Sequence, residues 1–131
     1  MVVGDLMTGN WVRSKRTNAI TIVTGTHSVN DGYIQTFEYA ADRSIKEYEE
    51  IPITKEFLKK NGFRELVDGD WELKYMSGEQ SIVYSEGAIY FAHFGVMSKD
   101  YTRICDCHYV HEFQNNCKML GVDAPNGRIE A

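Results

Sequence analysis

All three cysteines and two of the four histidines of this 131-residue chain lie in one short stretch, "CDCHYVHEFQNNC", at positions 105–117. Cysteine thiolates and histidine nitrogens are the ligands that zinc prefers in proteins. A cysteine at a helix N-terminus can also have a lowered thiol pKa and react as a nucleophile or redox group. The residue types therefore leave three interpretations: a metal site, a thiol site, or a helix whose soft side chains are structural.

The spacing of the apolar residues predicts a helix over this stretch, from about Cys107 to Leu120. Asp106 is its expected N-cap and Gly121 its expected C′ residue. One apolar stripe with helical periodicity runs along it, formed by Val110, Phe113, Cys117 and Leu120. This helix would position every candidate side chain of the stretch except Cys105, which precedes it.

Only three potential ligands can meet on such a helix. Cys107 and His111 are four residues apart and would lie on one face, and Cys105 could join them from a preceding strand end. Cys117 would lie about 15 Å further along the axis and belongs to the apolar stripe. Because a structural zinc needs four ligands, we expect no metal and no other cofactor. A metal- or thiol-dependent enzyme centred on Cys105, Cys107 and His111 is the alternative.

A polar flank beside the stripe supplies the candidate binding residues, which are Tyr109, His111, Gln114 and Asn115. Their side chains could hydrogen-bond neighbouring loops or bind a partner. No phosphate-binding glycine loop, nucleophile elbow or zinc-protease helix occurs elsewhere in the sequence. We therefore interpret the chain as a protein without enzymatic activity.

The remaining sequence predicts an α+β fold. Short β-branched and aromatic runs in the first fifty residues predict a small SH3-like or curled antiparallel sheet. Thr54 as N-cap and Gly62 as C′ residue predict a short helix, about Lys55 to Asn61. The alternation of Trp71, Leu73 and Tyr75 with polar residues begins an antiparallel meander with one buried face. We expect the C-terminal helix to cover that meander.

Length and composition favour one compact domain with lobes at about 1–50 and 51–122 and a flexible tail at 123–131. The net charge of −5 disfavours a non-specific DNA-binding protein. No leader-like or membrane-spanning run is visible, and three cysteines are an odd number, so we expect a cytoplasmic protein with reduced thiols.

Three stretches together resemble a known group of proteins. They are "DLMTGNWV" (5–12), "EEIPITKEFLKKNGF" (49–63) and "HYVHEFQN" (108–115). Their types and order resemble small uncharacterised proteins from phages and mobile elements of Bacteroidales-type gut bacteria. Phe113 and Cys117 depart from that group's pattern, and the cysteines are not part of it.

The resemblance carries no established activity, but it implies a phage or mobile-element accessory protein. We expect a binding module for an unknown protein or nucleic acid, with no membrane partner. Its contact surface would be an exposed sheet face or the polar flank of the last helix. A homo-oligomeric structural protein is a third interpretation.

Overall fold

The computed structural model describes residues 1–29, 32–38, 41–66, 69–75, 80–94, 99–120 and 131. Two five-stranded antiparallel sheets and two α-helices make up this part of the chain, so the predicted α+β class is confirmed. The chain divides into two compact units. The first contains Met1–Pro52 and Tyr109–Leu120, and the second contains Ile53–His108. No helix in the described ranges is long and apolar enough to cross a membrane.

The first unit is built on a sheet of short strands with the order β4-β3-β2-β1-β5. Its strands are β1 (Trp11–Ser14), β2 (Ile20–His27), β3 (Tyr33–Thr36), β4 (Arg43–Ser44) and β5 (Tyr48–Glu49). Alternate side chains of β1 and β3 are buried, as expected for a sheet with one face against a core. The core contains Leu6, Val12, Val23, Ile34, Ile45 and Tyr48.

A 3₁₀ turn forces this sheet to curl. The turn, Ile45–Glu47, connects β4 directly to β5, although these strands form opposite edges of the sheet. In a flat five-stranded sheet the two edges would lie roughly 19 Å apart. The four residue steps from Ser44 to Tyr48 span at most about 14 Å. The curled sheet predicted from the sequence is thus confirmed, and it stays open because β4 and β5 do not pair with each other.

The helix α1 (Lys55–Lys60) follows the predicted local signals. The Thr54 hydroxyl accepts a hydrogen bond from the Phe57 N–H at 3.2 Å. At the other end, Gly62 adopts φ +88°, its N–H donates to the Lys59 carbonyl, and the Phe63 N–H donates to the Leu58 carbonyl. These two bonds form a Schellman motif. Both predicted caps are therefore confirmed.

The second unit contains the predicted meander, with strand order β10-β9-β8-β7-β6. Its strands are β6 (Arg64–Glu65), β7 (Trp71–Tyr75), β8 (Gln80–Ser85), β9 (Ala88–Phe94) and β10 (Lys99–Asp106). The sequence led us to expect one buried face on β7, but Trp71 and Glu72 are both buried although they point to opposite faces. The Glu72 carboxylate accepts hydrogen bonds from Arg64 and from the Ser81 hydroxyl, at 3.2 and 3.1 Å, and buried carboxylates need such partners.

The C-terminal helix α2 spans Val110–Met119 and packs against strands, as expected. Its start differs from the prediction, because Asp106 ends β10 and Tyr109 is the N-cap residue. The helix lies in the first unit and contacts β1; that it covers the meander stays a prediction. Its predicted C′ residue Gly121 and the predicted tail at 123–130 lie outside the described residues.

The loop around Gly32 offers a test of packing in the first unit. We expect Gly32→Ala to destabilise the protein more than Gly9→Ala, with both free energies of unfolding measured in urea. Both glycines have φ near +100°, which costs an alanine about 1–2 kcal/mol. A Cβ at Gly32 would also lie 2.7 Å from the Val3 Cβ, whereas one at Gly9 meets nothing within 4 Å. The clash adds about 1–3 kcal/mol; equal losses would contradict this packing.

Candidate functional site

Two side-chain amides of α2 hydrogen-bond the loop that precedes β1. The Gln114 Oε1 accepts from the Trp11 N–H at 2.9 Å, and its Nε2 donates to the Gly9 carbonyl at 3.1 Å. The Asn115 Oδ1 accepts from the Asn10 side-chain amide at 2.8 Å, and its Nδ2 donates to the Asp5 carbonyl at 3.1 Å. All four hydrogen-bonding atoms of the two side chains are therefore used inside the first unit.

Asn10 is the residue of this network that sequence reasoning missed. Its side chain is 3% exposed. Its Oδ1 accepts from the Met7 N–H at 2.8 Å while its amide donates to Asn115. The Asn10 carbonyl also accepts from the Val23 N–H at 2.8 Å. The "GN" of the first quoted stretch was a signal for this position, because asparagine stabilises loop backbone by local hydrogen bonds. We call Asn10, Gln114 and Asn115 the amide network.

Tyr109 and His111 lie at the start of α2, next to this network in sequence. Val110 donates its N–H to the Ile51 carbonyl at 2.8 Å, and the Tyr109 N–H donates to the Glu112 carboxylate at 3.2 Å, which is one half of a capping box. The rings of Tyr109 and His111 are stacked, with centroids 6.2 Å apart and planes 11° from parallel. The hydrogen bond from Val110 to Ile51 thus joins the start of α2 to the segment that follows β5.

His111 is buried, with 3% of its surface exposed, and its Nδ1 has no hydrogen-bond partner among the described residues. Burial lowers the pKa of His111, because removal from water penalises the charged imidazolium. The α-amino group of Met1 acts in the same direction, whereas the carboxylates of Glu112, Glu50 and Asp5 oppose it. The neutral imidazole is therefore the form that the folded protein favours.

The helical arrangement on which the alternative of a Cys105, Cys107 and His111 cluster rested is absent from the described residues. Because α2 begins at Val110, Cys107 is not on the helix, and the i, i+4 geometry expected for Cys107 and His111 was wrong. The Cys107 N–H instead donates to the Gly87 carbonyl at 2.7 Å. Cys107 and Cys117 are buried, Cys105 is half-buried, and none forms a disulfide. In the described part of the chain, no group of three or more His, Cys, Asp or Glu side chains could hold a metal ion.

The arrangement around α2 therefore has the chemistry of an internal lock. Its amides are used by the segment that leads into β1, its imidazole is buried with a lowered pKa, and its one thiol, Cys117, is buried. No protein-family model, curated protein or solved structure matches this chain. The assignment of Tyr109, His111, Gln114 and Asn115 as binding residues stays a prediction, and function must be argued from surfaces as well as from this site.

Substitution of a residue in the amide network should destabilise the folded protein. We expect Asn115→Ala to lower the free energy of unfolding by about 1.5–3 kcal/mol, because the Asn10 amide loses its acceptor in a part-buried setting and the Asp5 carbonyl loses a more exposed donor. Asn116→Ala is the matched control, since Asn116 bonds only the Glu112 carbonyl of its own helix among the contacts described here. Chemical denaturation measures both. Equal effects of the two substitutions would show that the lock contributes nothing beyond local helix contacts.

His111 should make stability depend on pH. The unfolded chain binds a proton at this histidine near its ordinary pKa of 6.5, whereas the folded chain binds it only at lower pH. The unfolded state therefore holds more protons below pH 6.5, and stability falls as the pH drops below that value. We expect His111→Phe, which keeps a ring against Tyr109, to lose part of this slope between pH 7 and 5. Identical slopes in wild type and variant would contradict the inferred pKa shift.

Proposed function

We propose that the protein is a non-enzymatic binding module that acts in the cytoplasm as an accessory protein of a phage or mobile element. The resemblance of three stretches of the sequence to such proteins supports the origin. Because the amides of Gln114 and Asn115 are used inside the first unit, we propose that the binding surface lies elsewhere on that unit. Of the two partner classes expected from the sequence, a protein or a nucleic acid, we favour a protein.

The topology of the first unit supports this reading. The first unit is a five-stranded antiparallel sheet, and a single 3₁₀ turn joins its two edge strands. We propose that this strand order is SH3-like. Small curled sheets of this kind serve many unrelated binding functions, because their loops and outer face vary independently of the core. The site must therefore be argued from particular exposed residues.

One observation carries the proposal, an apolar row across the outward face of the first sheet. Trp11 of β1 lies directly opposite Ile22 of β2, and the Phe37 N–H donates to the Ile22 carbonyl at 3.1 Å. Neighbouring strands thus place these three side chains side by side, since opposite residues share a face. Phe37 is 76% exposed, and Ile20, two positions from Ile22 on the same face, is 42% exposed.

The surroundings of this row match a protein-binding surface better than a nucleic-acid-binding one. Arg13 lies opposite Ile20 on one side and Glu49 on the other, so the row has a polar rim of both signs. Aromatic side chains and arginine are the types that dominate binding energy at protein interfaces. Nucleic acid would need a predominantly positive surface, whereas this chain has a net charge of −5.

Substitution of Phe37 tests the proposal. Wild-type protein is immobilised and used to capture proteins from a host lysate, in parallel with binding to single- and double-stranded oligonucleotides at two salt concentrations. We expect Phe37→Ser to weaken capture of the wild type's protein partner at least about tenfold, as loss of an aromatic anchor does. Met119→Gln is the matched control, because Met119 is 74% exposed on α2.

Three outcomes separate the possibilities. Loss of the partner with Phe37→Ser but not with Met119→Gln supports the outward face as the binding surface. Equal capture by both variants contradicts it. Tight, salt-dependent oligonucleotide binding that ignores Phe37 would replace the protein partner by a nucleic acid.

A further inference from the structure

The strand β10 is a long and exposed edge of the second sheet. It is eight residues long, whereas β6 at the other edge has two. β10 pairs with β9 on one side and, within the described residues, with no strand on the other. Every second residue of an edge strand directs its N–H and C=O outward, where they can accept another strand.

A β-bulge limits the part of β10 that can pair regularly. The register with β9 shifts between Arg103 and Cys105, and pairing resumes at Cys105 and Asp106; a bulge of this kind locally disrupts the ladder and bends the strand. The regular segment is therefore Lys99–Arg103, which contains neither proline nor glycine. Residues 100–103 are all exposed, and Tyr101 is 55% exposed. An extended segment of the right length is thus available on the surface.

The charges on this segment favour a second copy of the same strand in one register. When two copies pair antiparallel around a twofold axis perpendicular to the sheet, one residue lies opposite itself. An axis at Asp100 or at Arg103 places identical charges opposite each other, and an axis at Tyr101 places Arg103 opposite Lys99. Like charges in direct opposition destabilise a strand pair. These three registers are disfavoured.

An axis at Thr102 avoids these conflicts. Thr102 then lies opposite Thr102 of the second copy, and Tyr101 lies opposite Arg103 twice because of the symmetry. Paired threonines are favourable across strands, and an arginine over a tyrosine ring adds a cation–π contact. The Arg103 guanidinium group forms an ion pair with Asp106 of its own strand. This ion pair restricts the position of the guanidinium group before two copies meet.

We propose that the protein forms a homodimer in which two β10 strands pair antiparallel around Thr102. The pairing joins two five-stranded sheets into one continuous ten-stranded sheet. Isologous interfaces of this type repeat each contact twice, so a single Tyr101–Arg103 match contributes two contacts. The paired segment is short, and small interfaces are weak; we expect a dissociation constant on the order of tens of micromolar.

Sedimentation velocity between about 5 and 500 µM measures this equilibrium. We expect the wild type to pass from monomer to dimer across that range, and Arg103→Glu to weaken dimerisation at least tenfold because it removes both cation–π contacts. Lys55→Glu is the control, since it reverses the charge of an exposed residue at the start of α1 in the same way. A wild type that stays monomeric at 500 µM, or a dimer unaffected by Arg103→Glu, overturns the proposal.

Disulfide trapping tests the register and does not depend on the stability of a weak dimer. In a Cys105→Ser background, Thr102→Cys should form a cross-linked dimer on mild oxidation, since opposite Cβ atoms lie about 4.5–5.5 Å apart. Asp100→Cys should not, because its copies would be offset by four residues, about 13 Å, which is beyond disulfide reach. Equal cross-linking at both positions, or none at Thr102→Cys, contradicts pairing around Thr102. Neither result bears on the proposal that the outward apolar row of the first sheet binds a partner.

Discussion

The first unit depends on the amide network that joins α2 to the loop before β1. Asn10 and Asn115 are 105 positions apart in the chain. Closing a loop of that length costs about 4 kcal/mol of chain entropy. The four hydrogen bonds made by Gln114 and Asn115 stabilise the folded state by about 1 kcal/mol each. Together they roughly equal the entropy cost of closing the loop. Burial of Val110, Phe113 and Cys117 must supply the net stability of the docked helix.

Because α2 hydrogen-bonds the loop before β1, the first unit must contain two separate stretches of the sequence. The chain leaves the unit after Pro52 and returns at Tyr109, and these two residues form an isolated antiparallel bridge. Exit and return points that lie side by side are the arrangement expected of an inserted segment, which adds little strain to its host. The meander can therefore differ in length or surface without disturbing the sheet that α2 completes. Whether both units fold as one domain stays a prediction.

Sequence reasoning succeeded where the determining contacts are local. The helix α1 was predictable because Thr54 and Gly62 act within one turn of it. The start of α2 was not, because it is set by the partners of Cys107 and Val110, which are Gly87 and Ile51. An error of three residues there was enough to create an apparent metal-binding pair. The burial of Glu72 was equally unpredictable from the sequence, since the alternation of apolar and polar residues in a strand cannot show that both faces are covered.

The candidate site was predictable in its residue types but not in its role. Gln114 and Asn115 were recognisable as a polar flank, yet their partners are mostly backbone atoms of a loop that no local rule connects to them. The stretches at 5–12 and 108–115, quoted for the resemblance, meet in this network, so they describe how the first unit is closed. A surface that selects a partner should then lie largely outside them. Phe37, Ile20 and the exposed segment of β10 all lie outside these stretches, which is why we propose these surfaces, and not the cysteine-rich segment, as the places where partners bind.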